Sequence, residues 1–78
     1  MSKNEKLNHV IRNNPKNVRF NDAVKMACLL GFTHQGRQGS HRDLAKAGEM
    51  KLLNFQNKNG LIPFYQAKQL IEMMDKYE

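Results

Sequence analysis

The hydrophobic period of this chain changes twice, and those two changes constrain its fold more than any single residue. Phe20, Ala23, Val24, Ala27 and Leu30 recur at helical spacing, with Asp22 in the first turn and Gly31 just past the end. After Pro63 the helical period returns in Ala67, Leu70, Ile71, Met74 and Tyr77, a stripe broad enough to cover one face of a sheet. Between them, Phe32-Thr33-His34-Gln35 and Leu52-Leu53-Asn54-Phe55 are too short for helices and rich in strand formers, and Gly36, Gly39 and Gly48 punctuate the stretch. The pattern predicts strands at about 32–37, 41–46 and 51–56, with turns at Gln38-Gly39-Ser40 and Ala47-Gly48-Glu49 and a polar loop at Asn57-Lys58-Asn59-Gly60. Three strands cannot close a barrel, so the expected fold is α+β: a three-stranded antiparallel meander with helices on one face and the other face open. Alternation decides which side chains go where. If Leu44 points to the helices, His41, Asp43 and Ala45 point to solvent.

The first 14 residues carry a narrower stripe, Leu7, Val10 and Ile11, which predicts a short helix from Ser2 ended by Pro15. They read as an appendage, residues 1–14, docked on a domain of residues 15–78. Leu, Ile, Val and Phe make up 18 of the 78 residues, just above the level at which a charged chain stays disordered, so one small core is all this chain can form. On the last helix Lys68/Glu72 and Glu72/Lys76 have the spacing of i,i+4 ion pairs. Cys28, beside Ala27 and Leu29, reads as a buried small hydrophobe, and Met73-Met74 as core. His9 reads as helix surface. His34 reads as a structural or partly exposed strand residue that could reach His41 across the hairpin.

Charge points to the partner. Through residue 60 there are 11 Lys and Arg against 4 Asp and Glu, a net +7, while residues 61–78 hold 2 against 3. A positive field of this size on so small a body attracts polyanions, nucleic acid first and an acidic protein second. The absence of Trp and the small number of aromatic residues argue against recognition by base stacking. One Cys excludes an intrachain disulfide and fits a reducing, cytoplasmic setting, and with three His at unrelated spacings it offers no zinc framework. No metal or other cofactor is expected. The longest apolar run, Met26-Ala27-Cys28-Leu29-Leu30, is far too short to span a bilayer, so no membrane association is expected either.

Five segments taken in order are distinctive. Asn14-Pro15-Lys16-Asn17-Val18-Arg19-Phe20 precedes the amphipathic helix and Gly31-Phe32 follows it. Gly39-Ser40-His41 comes at the hairpin, then Leu52-Leu53-Asn54-Phe55-Gln56, then Tyr65-Gln66. Over residues 14–78 this combination resembles the HicA family of small toxins, the RNA-cleaving members of HicA/HicB toxin–antitoxin pairs. The resemblance implies a fold like that of double-stranded-RNA-binding domains, helix, three antiparallel strands and helix, here with an extra N-terminal helix. It also implies cleavage of mRNA by a single catalytic His, which falls on His41, and a hetero-oligomer with an acidic HicB-type antitoxin that covers it.

Chemistry makes the same residue plausible. RNA carries its own nucleophile, the 2′-OH, so an RNase need only remove that proton, steady the phosphorane and help the 5′-oxygen leave. Imidazole, which ordinarily titrates near pH 6.5, suits both proton roles. Gly39 lets the backbone approach a phosphate closely, and Ser40, Arg37, Arg42 and Lys46 are the candidates for binding its oxygens. After the hairpin His, family members have apolar or aromatic residues and a basic-proline step, whereas this chain reads Asp43-Leu44-Ala45-Lys46-Ala47-Gly48. Two other readings remain open: a non-catalytic RNA-binding module of the same fold, and a DNA-binding or adaptor protein, for which no helix-turn-helix spacing speaks.

Overall fold

Helices and strands follow one another along the chain much in the order that the periodicity predicts. The structure is a computed structural model that describes residues 3–78, and of Lys3, Asn4, Arg37 and Gln38 the backbone alone. Its elements are α1 (Lys3–Asn13), a 3-10 turn (Pro15–Asn17), α2 (Phe20–Leu29), β1 (Thr33–Gln38), β2 (His41–Ala45), β3 (Leu53–Gln56) and α3 (Phe64–Tyr77). The strands form one antiparallel sheet in the order β1-β2-β3, and the class is α+β. Ser2, the expected start of the first helix, lies outside the described residues. The third strand begins at Leu53 rather than near residue 51, because Gly48 at φ +86° and the Glu49 N–H to Lys46 C=O bond build a turn after β2.

All three helices lie on one face of the sheet, and the principal extents of 33 × 31 × 19 Å fit one helix layer on one sheet layer. Leu44, Leu53 and Phe55 face the helices and are 0, 1 and 1 % exposed; they meet Ala23, Met26 and Ala27 of α2 and Ala67, Leu70, Met73 and Met74 of α3 in one core. Ile11 of α1 is fully buried in that same core, worth about 1.5–3 kcal/mol of transfer free energy. Arg12 fastens α1 to the end of α3, 2.7 Å from Asp75 and 3.6 Å from Glu78, and the Asn8 amide donates to Glu78.

Three expectations are corrected. Cys28 is exposed rather than buried: it is one residue from the buried Ala27, a rotation of about 100° that carries it off the core-facing stripe. Lys76 bonds Glu49 at 2.7 Å and Glu72 faces Lys51 at 3.9 Å, so these side chains tie α3 to the β2–β3 connection instead of pairing along the helix. His34 is turned away from His41. It pairs with Leu44 and Gln38 pairs with His41; a β-bulge at Gln35 shifts the register, so that Gly36 lies opposite Asp43. Directly opposed residues share a face, which puts His34 on the helix side with Leu44, three residues or ~10 Å along β2 from His41. It is half-buried, and its Nδ1 is buried without a hydrogen-bond partner.

Candidate functional site

The open face of the sheet carries His41, Asp43 and Ala45 from β2, with Asn54 and Gln56 opposite Asp43 and His41 on β3. Because Leu44 is fully buried against the helices, the odd-numbered residues of β2 must point the other way, as alternation predicts. His41 is exposed and opens the strand straight after the turn. Asp43 is half-buried and lies across Gly36: a Cβ at residue 36 would stand 3.3 Å from its Oδ2, so glycine gives the carboxylate room. His41 and Asp43 are thus on one face, ~6.6 Å apart along the strand.

Two residues, Gly39 and Ser40, make the turn that presents His41. Gly39 is at φ +58° while Ser40 is not in the left-handed region, the pattern of a type II′ hairpin, which needs glycine at its first position. Nothing lies within 4 Å of where a Gly39 Cβ would be, so the turn is open to an incoming group. The Ser40 carbonyl accepts from the Asn57 N–H at 2.8 Å, which braces the hairpin against the loop after β3. That loop is itself a small hairpin: Asn59 and Gly60 both have positive φ, 55° and 87°, and Lys58 and Leu61 exchange backbone bonds of 2.8 and 3.1 Å.

Two of the remaining phosphate candidates, Arg42 and Lys46, do not gather around His41. Arg42 has the parity of Leu44, and its guanidinium lies on the helix side, 5.7 Å from the centre of the Phe20 ring. There it donates to the carbonyls of Gly39 and His41 at 3.0 and 2.9 Å. Lys46 lies beyond the far end of β2, ~16 Å along the chain direction from His41. Its ammonium stands 5.0 Å from the centre of the Tyr77 ring and within 2.8 Å of where a Gly31 Cβ would be. Arg37 pairs with Arg42 through the backbone, and its side chain lies outside the described residues.

Sequence reasoning missed two groups. One is Glu49, whose carboxylate is 3 % exposed and accepts from the Lys76 ammonium at 2.7 Å, the Tyr77 hydroxyl at 2.6 Å and the Lys51 N–H at 3.0 Å. Those donors, Lys76 foremost and then Tyr77, hold its pKa at about 2. The other is the pair Phe64 and Tyr65, 43 and 60 % exposed at the start of α3, where the helical period alone does not say which rings stay outside. Compared with family models, curated proteins and solved structures, the chain matches none. Among the described residues, no three His, Cys, Asp or Glu side chains converge as a metal site would require, and no helix is long and apolar enough to cross a membrane.

Proposed function

We propose that this chain is a HicA-like toxin: a cytoplasmic endoribonuclease that cleaves mRNA without a metal, uses His41 as its catalytic residue, and is held inactive in a complex with an acidic HicB-type antitoxin. The observation that carries the reading is the placement of His41, exposed on the open sheet face directly after a type II′ turn that leaves room for a phosphate. The order α2-β1-β2-β3-α3, with both helices on one face, supports the likeness to double-stranded-RNA-binding domains, α1 being the addition. In the reaction the His41 imidazole takes the 2′-OH proton, the 2′-oxygen attacks the adjacent phosphorus, and the bond to the 5′-oxygen breaks as water protonates it. Arg42 acts from behind the sheet, holding the carbonyls of Gly39 and His41, and Ser40 in the turn offers its hydroxyl to a bound phosphate. A protein inhibitor of opposite potential that lies on this flat face covers His41 directly.

A second reading, an RNA-binding module that does not cleave, is favoured by one feature: Asp43 puts a carboxylate on the face where the phosphate would sit. Incubating the purified protein with mRNA in EDTA decides between them. The enzyme reading expects cleavage that His41→Ala abolishes while its thermal transition stays within a few degrees, since an exposed strand residue contributes little packing. Equal cleavage by the variant removes His41 from the mechanism. Binding without cleavage by the unaltered chain establishes the module instead.

A further inference from the structure

At the His41 end of the molecule Lys16, Arg19, Lys58 and Lys68 have no acidic partner among the described residues, and two of them crowd one exposed ring. Lys16, in the 3-10 turn, lies 6.0 Å from the centre of the Phe64 ring, and Lys68, one turn into α3, lies 5.8 Å from it. Among the described residues the ion pairs join Arg12 to Asp75 and Glu78, Lys51 to Glu72 and Lys76 to Glu49, and leave Lys16, Arg19, Lys58 and Lys68 unneutralised, along with Lys6, Lys25, Arg42 and Lys46. The quadrupole of one phenyl ring offsets only part of two ammonium charges, so the cluster lacks a counter-anion.

Backbone contacts run from this cluster to the hairpin. The Asn57 N–H reaches the Ser40 carbonyl, Leu61 bridges both Lys58 and Arg19, and the Ile62 N–H donates to Val18 at 3.0 Å. On the other side, Gln56, the β3 partner of His41, donates its N–H to the Gln66 side chain at 2.8 Å, which fixes the first turn of α3 beside that strand. One strand spacing of ~4.8 Å and one side chain therefore separate the His41 strand from the helix that carries Phe64 and Lys68, and because His41 is on the open face and α3 on the other, a strand held at both passes around the β3 edge.

Resting on the RNA reading above, we propose that Lys16, Phe64 and Lys68 form a second subsite for the same RNA strand, outside the His41 hairpin. The two ammoniums take phosphodiester oxygens, and the Phe64 ring takes an unpaired base between them. The exposure of Phe64 reverses the expectation, drawn from the scarcity of aromatic residues, that no base is stacked: lysines alternating with an exposed ring match a strand in which phosphates alternate with flat bases. An acidic polypeptide supplies the charges but has no flat group at the fixed spacing of its carboxylates, as a nucleic acid has between its phosphates. The subsite grips the strand at a distance from the scissile phosphate and so sets which stretch of RNA is presented to His41.

The test uses the non-cleaving His41→Ala protein and a fluorescent single-stranded RNA, with affinity followed against salt. Adding Lys16→Ala and Lys68→Ala is expected to weaken binding at least tenfold and to reduce the slope of log K against log salt by about 1.4, the value for two phosphates on a single strand. The Lys16→Arg/Lys68→Arg pair keeps the charges and is expected to retain both affinity and slope. Phe64→Leu is expected to weaken binding with the slope unchanged, because a ring contact releases no counterions. An unchanged affinity and slope in the double-alanine protein overturns the subsite, and so does an equal loss from Lys25→Ala/Lys51→Ala on other surfaces. Displacement of the RNA by poly-glutamate as effectively as by unlabelled RNA assigns the patch to acidic protein and also overturns it. Failure of the His41→Ala protein itself to bind RNA refutes the RNA reading together with this one, whereas loss of the subsite alone leaves cleavage at His41 standing.

Discussion

Truncating Arg42 to Ala separates a residue that positions the hairpin from one that holds a phosphate. Its guanidinium is half-buried and makes two charge-assisted bonds, to the Gly39 and His41 carbonyls at 3.0 and 2.9 Å, over the Phe20 ring at 5.7 Å. Bonds to charged donors reach about 1.5–3 kcal/mol when sheltered, but both are solvent-accessible here, so ~0.5–1 kcal/mol each is the reasonable share. The ring contact adds ~0.5–1 kcal/mol at an exposed site. The sum, ~2 kcal/mol, lowers the Tm of a domain of this size by roughly 10 °C. Arg42→Lys, which keeps the charge and loses the fork, is expected to fall about halfway between. Circular dichroism melts report the stability, and RNA affinity against salt reports the phosphates. Because the guanidinium is behind the sheet, the salt slope of Arg42→Ala is expected to stay that of the unaltered chain. A full Tm together with a slope reduced by about 0.7 refutes this account and makes Arg42 a phosphate ligand.

Asp43→Asn removes a negative charge from the face of His41 and is expected to tighten RNA binding severalfold and speed cleavage; an unchanged affinity shows that the carboxylate does not face the RNA. The Glu49 pKa is held at about 2 against an ordinary 4.5, so its bonds stabilise the fold fully above pH 4.5, and that contribution is lost as the pH falls toward 2. Glu49→Gln is expected to flatten the acid limb of stability between those values, and denaturant titrations at pH 2–6 that overlay those of the unaltered chain refute it. Ile11→Ala, at a fully buried position of α1, is expected to cost about 3 kcal/mol by denaturant unfolding. A cost below about 1 kcal/mol makes α1 a detachable appendage.

How much was legible in the sequence differs from residue to residue for physical reasons. Helical spacing located α2 and α3, and Gly39 located the hairpin, because a type II′ turn demands a left-handed residue there. Strand parity also separated His41 from Leu44. The same parity puts Arg42 and Lys46 with Leu44, and grouping them with His41 by charge overrode a geometric signal that was already present. The bulge at Gln35 was not legible, since an extra residue changes the face of everything before it and leaves no mark in composition. Nor was the buried carboxylate of Glu49, whose donors Lys76 and Tyr77 lie 27 and 28 residues away in the chain. From sequence, Asn59-Gly60 is expected only as part of a polar loop, although Asn-Gly favours the type I′ turn that its two positive φ angles form.

The bond from the Gln56 N–H to the Gln66 carboxamide bears on how the sheet meets other chains. β3 is an outer strand, and an outer strand with free N–H groups is a template on which any extended segment can crystallise into a longer sheet. Sheets are commonly guarded at such a border by lysine or proline; here an almost fully buried amide from the covering helix occupies the border position next to His41. Ribbon-wise extension is therefore blocked at that corner of β3, and a strand added to this sheet has β1, the opposite border, as its open side. Gln66→Leu would reopen the seam, and the first sign of it would be fibrillar self-association.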